Sequence, residues 1–106
     1  MAEERMQRRL AAILVSDVVG YSGMMAADEA GTLARLKALR AEVFDPLTER
    51  HGGRIFKNTG DGALVEFGSA FDAVQAALEV QGDLGRRNAS LPDSHQVLLR
   101  IGISLG

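Results

Sequence analysis

The chain has 106 residues, 46% hydrophobic and 25% charged, with a net charge of −2 at pH 7. This length supports one domain with one core, and the mildly acidic balance gives no electrostatic case for nucleic acid or an anionic membrane as partner. There is no cysteine, which excludes a disulfide framework and thiol chemistry and fits a cytoplasmic location.

Residues 1–9, MAEERMQRR, read as a charged lead-in, followed by an apolar run too short for a signal peptide or a membrane span. LAAILVSDVV (10–19) is almost continuously apolar and predicts a central strand buried on both faces. Near its end stands Asp17; an isolated buried charge is costly, so such a group is paired, protonated or holding a cation. GYSGMMAADEAG (20–31) reads as a loop entering a helix. From Asp28 to Arg50 the steps between Leu33, Leu36, Leu39, Val43 and Leu47 define one helical face. Pro46 predicts a kink or break near Phe44–Asp45. HGG (51–53) ends the helix, with Gly52 or Gly53 free to take a positive φ.

RIFK (54–57) and ALVEF (63–67), joined by NTGDG, form a hairpin signature. Ser69 and Asp72 resemble a helix-capping pair, and the helix runs to about Arg87 with Phe71, Val74, Leu78 and Leu84 inward. RNASLPDS (87–94) is a loop, and VLLRIGISL (97–105) is a last strand. Val97, Leu99, Ile101, Ile103 and Leu105 share one face of it; Leu98, Arg100, Gly102 and Ser104 share the other. His51 and His95 have no partner at zinc-ligand spacing.

The order strand, helix, strand, strand, helix, strand predicts an α+β, ferredoxin-like βαββαβ domain: a four-stranded antiparallel sheet with helices on one face. In that topology the first and third strands are antiparallel neighbours, so Asp17 and Asp61 meet at one edge. Two close carboxylates repel unless a proton or cation intervenes, and oxygen ligands favour Mg²⁺ or Mn²⁺. The adjoining VVGYSG offers loop amides for phosphate oxygens. Taken singly, Asp17 is as readily a strand-end acceptor, Asp61 a turn former, Lys57 a solvated lysine and the glycines turn glycines. The functional reading rests on their conjunction.

At this conjunction the sequence resembles the class III nucleotidyl cyclases, most of all the bacterial adenylate cyclases. LVSDVVGYS (14–22) resembles the family's first metal motif and GGRIFKNTGDGALVEF (52–67) its second; ARLKALRAEVFDPLTERHGG and LRIGISLG also fit. The resemblance implies a catalytic-domain core over 10–106 that turns ATP into 3′,5′-cyclic AMP and pyrophosphate with two Mg²⁺ or Mn²⁺ ions. Asp17 and Asp61 would bridge the metals and the Val18 carbonyl would add a ligand. Gly20, Tyr21 and Ser22 would contact the triphosphate, and Lys57 would read the adenine. Sites of this family form between two subunits, which implies a homodimer. The family's domain continues beyond the strand matching LRIGISLG, into a second base-reading residue and a transition-state asparagine and arginine with no counterpart up to Gly106. The resemblance therefore implies weak or no activity for this chain alone, and the uncovered surface implies self-association. The alternative is a non-catalytic cyclase-like module that dimerises or regulates; an RNA-binding sheet is disfavoured by the missing exposed aromatic pairs.

Overall fold

The structure, a computed structural model, describes residues 11–105; the charged lead-in and Leu10, expected to open the first strand, lie outside them. Strand β1 (Ala12–Val18) leads through a tight turn into helix α1 (Tyr21–Ala27) and then α2 (Glu29–Leu39). A π-helical segment (Arg40–Phe44) carries α2 into α3 (Asp45–Arg50). The hairpin β2 (Arg54–Asn58) and β3 (Ala63–Phe67) follows, then the long helix α4 (Ala70–Ala89), a 3₁₀ turn (Asp93–His95) and β4 (Leu99–Leu105). The sheet order is β2-β3-β1-β4 with every pairing antiparallel, the ferredoxin-like arrangement expected from the sequence.

The core lies between the sheet and the helices. Ala12, Leu14 and Val18 of β1 and Ala63, Val65 and Phe67 of β3 meet Leu36, Leu39, Val43, Phe44 and Leu47 on one side and Ala73, Ala76, Val80 and Leu84 on the other. β1 is buried on one face only: Val15 on the opposite face is 44% exposed. Its unbroken apolar run predicted two buried faces, but among the described residues no layer covers the second one.

Three other expectations are corrected. GYSGMMAADEAG is not a loop: Gly20 takes the left-handed conformation at φ 71° and starts α1, and the Thr32 hydroxyl donates to the Met24 carbonyl, tying α1 to α2. Pro46 does not break the helix. It stands in the first turn of α3, where its missing N–H is harmless, directly after the π-helical turn. The inner face of α4 is made of alanines, Val80 and Leu84, whereas Phe71, Val74 and Leu78 are 70%, 43% and 63% exposed. Small residues let the helix lie close on the sheet, and this outweighs the larger apolar stripe. Leu33 of α2, also placed inward, is exposed as well.

The caps behave as the sequence indicates. The Ser69 hydroxyl accepts from the Asp72 amide at 3.1 Å, and Gly52 ends α3 at φ 77°. The far end of α4 is fixed by a buried amide: Asn88 donates to the Val97 carbonyl at 2.8 Å and accepts from the Val97 N–H at 3.1 Å. This pairing aligns the start of β4, which begins at Leu99 rather than at Val97.

Asp45 carries a prediction. Burial raises its carboxyl pKa; Arg40 lowers it and Glu49 raises it further. A carboxyl with a folded pKa above its unfolded one adds stability that is fully present below the unfolded pKa and lost as pH rises through the folded pKa. We therefore expect Asp45→Asn to gain thermal stability over the parent as pH goes from about 3 to about 7, measured as the difference in circular-dichroism Tm. A difference that is constant, or that grows toward acid, contradicts the assignment.

Candidate functional site

The site is built where β1 ends between its two neighbours. Ser16 pairs with Ala63 of β3 and Ile101 of β4; Asp17 is the next residue, and Asp61 lies two before Ala63 in the turn. The turn is pressed against β1: a Cβ on Gly62 would stand 2.0 Å from the Ser16 carbonyl oxygen. It is closed by the Thr59 N–H donating to the Gly62 carbonyl at 2.9 Å. From the helix side, Arg40 donates to both the Asn58 side-chain oxygen and the Gly62 carbonyl. The π-helical turn thus sends a guanidinium across to clamp the loop bearing Asp61.

On the open face of the sheet, Asp17 stands directly opposite Arg100 of β4, whose Nε donates to Asp17 Oδ1 at 2.8 Å. The guanidinium pKa is raised first by that hydrogen bond, then by the charge of Asp17, and further by the charge of Asp61. Arg100 therefore sits in the field of both carboxylates. With Arg40 in the cleft beside Asp61, two carboxylates and two guanidiniums gather at this end of the sheet. Among the described residues no group of three or more His, Asp or Glu side chains converges to hold a metal; a cation here would rely on two carboxylates plus backbone oxygen.

The other residues singled out by sequence fall around this cluster. Val18, buried, closes β1, and Gly20 makes the turn beyond it. Tyr21 packs against the core with its hydroxyl 3.8 Å from the position of a Cβ on Gly60, so α1 and the Asp61 turn are neighbours. Ser22 is exposed in the first turn of α1. Lys57 lies on edge strand β2, two strands from β1, and is not brought into contact with the carboxylates. A bulge at Phe56 nevertheless matters to it. Ile55 pairs with Val65 but Lys57 pairs with Leu64, and directly opposed residues share a face. The extra residue turns Lys57 to the open face, the face of Asp17. The cleft lined by Ser16, Val18, Arg40, Gly60 and Asp61 has a volume of about 20 Å³, room for little more than one water.

Arg100 and Arg40 were not singled out by sequence. Strand parity does put Arg100 on the face opposite the helices, but its register with Asp17 needs the strand pairing. Arg40 looks like an ordinary helix-surface arginine until the hairpin is laid beside it.

Comparison with known proteins places this ferredoxin-like domain among the nucleotidyl cyclases. No family model matches the chain. It is 50% identical over 106 residues to "Putative adenylate cyclase 3" of Rhizobium meliloti (strain 1021), covering 100% of this chain and 18% of that protein. The adenylate/guanylate cyclase/hydrolase structure from Silicibacter pomeroyi superposes with a TM-score of 0.84 at 42% identity, over 92% of this chain and 57% of that one. The guanylyl cyclase Cya2 superposes with a TM-score of 0.77 at 25% identity, over 91% and 53%. The chain is a relative of the class III adenylate/guanylate cyclase catalytic domains, and it spans little more than half of the solved domains it matches.

The close approach of the turn to β1 is testable. A Cβ at Gly62 meets backbone, which cannot rotate away, so Gly62→Ala should cost about 1–3 kcal/mol of stability. At Gly60 the nearest atom is the Tyr21 hydroxyl at 3.8 Å, an ordinary contact, and Gly60→Ala should stay within about 0.5 kcal/mol of the parent. Urea denaturation of both variants measures the contrast; equal costs contradict this packing of the turn.

Proposed function

We propose that this chain is the metal- and ATP-binding part of an adenylate cyclase. What supports the reading is that Asp17 is paired with Arg100 at the end of β1, with the charge of Asp61 also acting on Arg100. Two carboxylates and the Val18 peptide carbonyl are hard oxygen donors suited to Mg²⁺ or Mn²⁺, and the Asp17–Arg100 pair, with Asp61 close enough to act on Arg100, fits a cluster that takes up positive charge. Two divalent ions, when bound, lower the pKa of the ribose 3′-hydroxyl and neutralise the triphosphate as pyrophosphate leaves.

The chain's own residues do the rest. Asp17 and Asp61 hold the ions. Were a bound metal to draw Asp17 away, Arg100 would donate to two phosphate oxygens. The amides of Gly20, Tyr21 and Ser22 face the triphosphate, and Lys57 reads the adenine. Because Lys57 lies two strands from Asp17, it serves the site of a second copy, and a two-fold homodimer makes two such sites. The location that suits this chemistry is the cytoplasm, where ATP is the available substrate. Residues beyond this chain would supply the remaining transition-state contacts; loss of one such contact commonly costs about a hundred- to a thousand-fold in rate.

Calorimetric titration of the 106-residue chain with ATP tests this. We expect binding that requires Mn²⁺ or Mg²⁺ and weakens at least about tenfold, or about 1.4 kcal/mol, in Asp17→Ala and in Asp61→Ala. Cyclic AMP formation should stay on the order of a hundredfold or more below that of a longer cyclase domain. Metal-independent or absent nucleotide binding favours the alternative, a non-catalytic module that dimerises or regulates; full turnover by the chain alone overturns its reading as part of a site.

A further inference from the structure

Arg40 stands where helix, hairpin and cleft meet, and its charge has the wrong sign for a site that takes up cations. It is half-buried and lines the cleft together with Asp61, Ser16 and Val18. Like charges repel, so a guanidinium there opposes a bound metal ion. Its contacts give it a different task. It donates to the Asn58 side-chain oxygen on one side of Asp61 and to the Gly62 carbonyl on the other. A guanidinium reaches two acceptors at once because its donors form a rigid planar fork; a lysine ammonium in the same place is a single point charge.

The turn bearing Asp61 has little else to hold it. Asn58 ends β2 and Ala63 begins β3; residues 59–62 between them are closed by the backbone bond from the Thr59 N–H to the Gly62 carbonyl. Arg40 fastens both ends of that segment. Its own base is firm. The π-helical turn opens at Arg40, whose carbonyl accepts from the Asp45 N–H, and Leu39, Val43 and Phe44 around it belong to the buried core. The arm is thus rooted in the core while its head reaches the turn.

We infer that Arg40 is a positioning residue of the cation site: it fixes where the Asp61 carboxylate stands relative to Asp17, and so sets the affinity for the ion in spite of its own charge. This role rests on the reading of Asp17 and Asp61 as a cation site. Position and charge predict opposite signs. Were Arg40 to act through charge alone, its removal would relieve a repulsion and tighten cation binding. Because it acts as a brace, its removal frees the turn and weakens binding.

Two measurements on the 106-residue chain test this: amide hydrogen exchange without metal, and titration with Mn²⁺. Arg40→Met keeps an apolar stem in the cleft and orphans no buried group, since the Gly62 carbonyl still accepts from Thr59; Arg40→Lys keeps the charge and loses the fork. Both variants should exchange the Thr59 amide at least about tenfold faster, with the amides of β1 unchanged. Both should lose about tenfold in Mn²⁺ affinity, the scale typical when a group that orients a metal ligand is removed. Arg35→Met takes the same charge from a neighbouring turn of α2, where Arg35 pairs with Asp28, and should change neither readout. Far-UV circular dichroism confirms that each variant is folded. Mn²⁺ affinity that rises in Arg40→Met, or holds in Arg40→Lys, assigns Arg40 a role of charge and overturns the proposal. A Thr59 amide indifferent to Arg40→Met overturns it too, because the turn then stands without its brace. A parent that takes up no Mn²⁺, yet releases the Thr59 amide in Arg40→Met, overturns the cation reading itself and leaves Arg40 a brace of the hairpin alone.

Discussion

The arrangement depends on one constraint: β1 is the inner strand, hydrogen-bonded to β3 on one side and β4 on the other. That position lets its last turn draw acidic and basic groups from three distant stretches of chain into one cluster. Asp17 comes from β1 itself, Asp61 from the turn entering β3, and Arg100 from β4. The β4 pairing brings a guanidinium into the field of both carboxylates. The energy of so exposed an ion pair is small and screened by salt.

The helical layer supports this cluster from behind without entering it. Arg40 reaches from the π-helical turn to the backbone around Asp61, and Asn88 pins the approach to β4, three residues before Arg100, through paired bonds to Val97. A π-helical turn at the point where its side chain clamps a loop is a common placement of π-bulges. The alanine face of α4 serves the same end, since a close helix–sheet contact fixes the sheet against which the loops are measured. The cost is that the larger apolar residues of α4 point outward.

Much of this was readable before any coordinates. The order of elements, the hairpin, the Ser69 cap and the ferredoxin-like sheet follow from turn chemistry and alternation, which act locally. The neighbourhood of Asp17 and Asp61 followed because topology fixes which strand ends are adjacent. What alternation could not supply was anything that depends on a neighbour. Phe71, Val74 and Leu78 have a sound apolar periodicity, but the sheet accepts the smaller face of Ala73 and Ala76. Strand β1 is apolar enough for two buried faces, yet only one has a cover among the described residues. The bulge at Phe56, which turns Lys57 to the open face, leaves no mark in RIFK. Arg100 and Arg40 gain their roles only from registers between strands and from a helix laid across a hairpin.

The central claim is that Asp17 and Asp61 share one cation site at the inner end of β1. Paramagnetic broadening by substoichiometric Mn²⁺ in an amide-correlation NMR spectrum measures this directly. The account expects the amide signals of residues 17–20 and 60–62 to be lost together and first, with Arg100 following and the far end of the sheet untouched. Broadening centred on other acidic residues such as Glu42 or Glu79, or broadening of only one of the two segments, would contradict it.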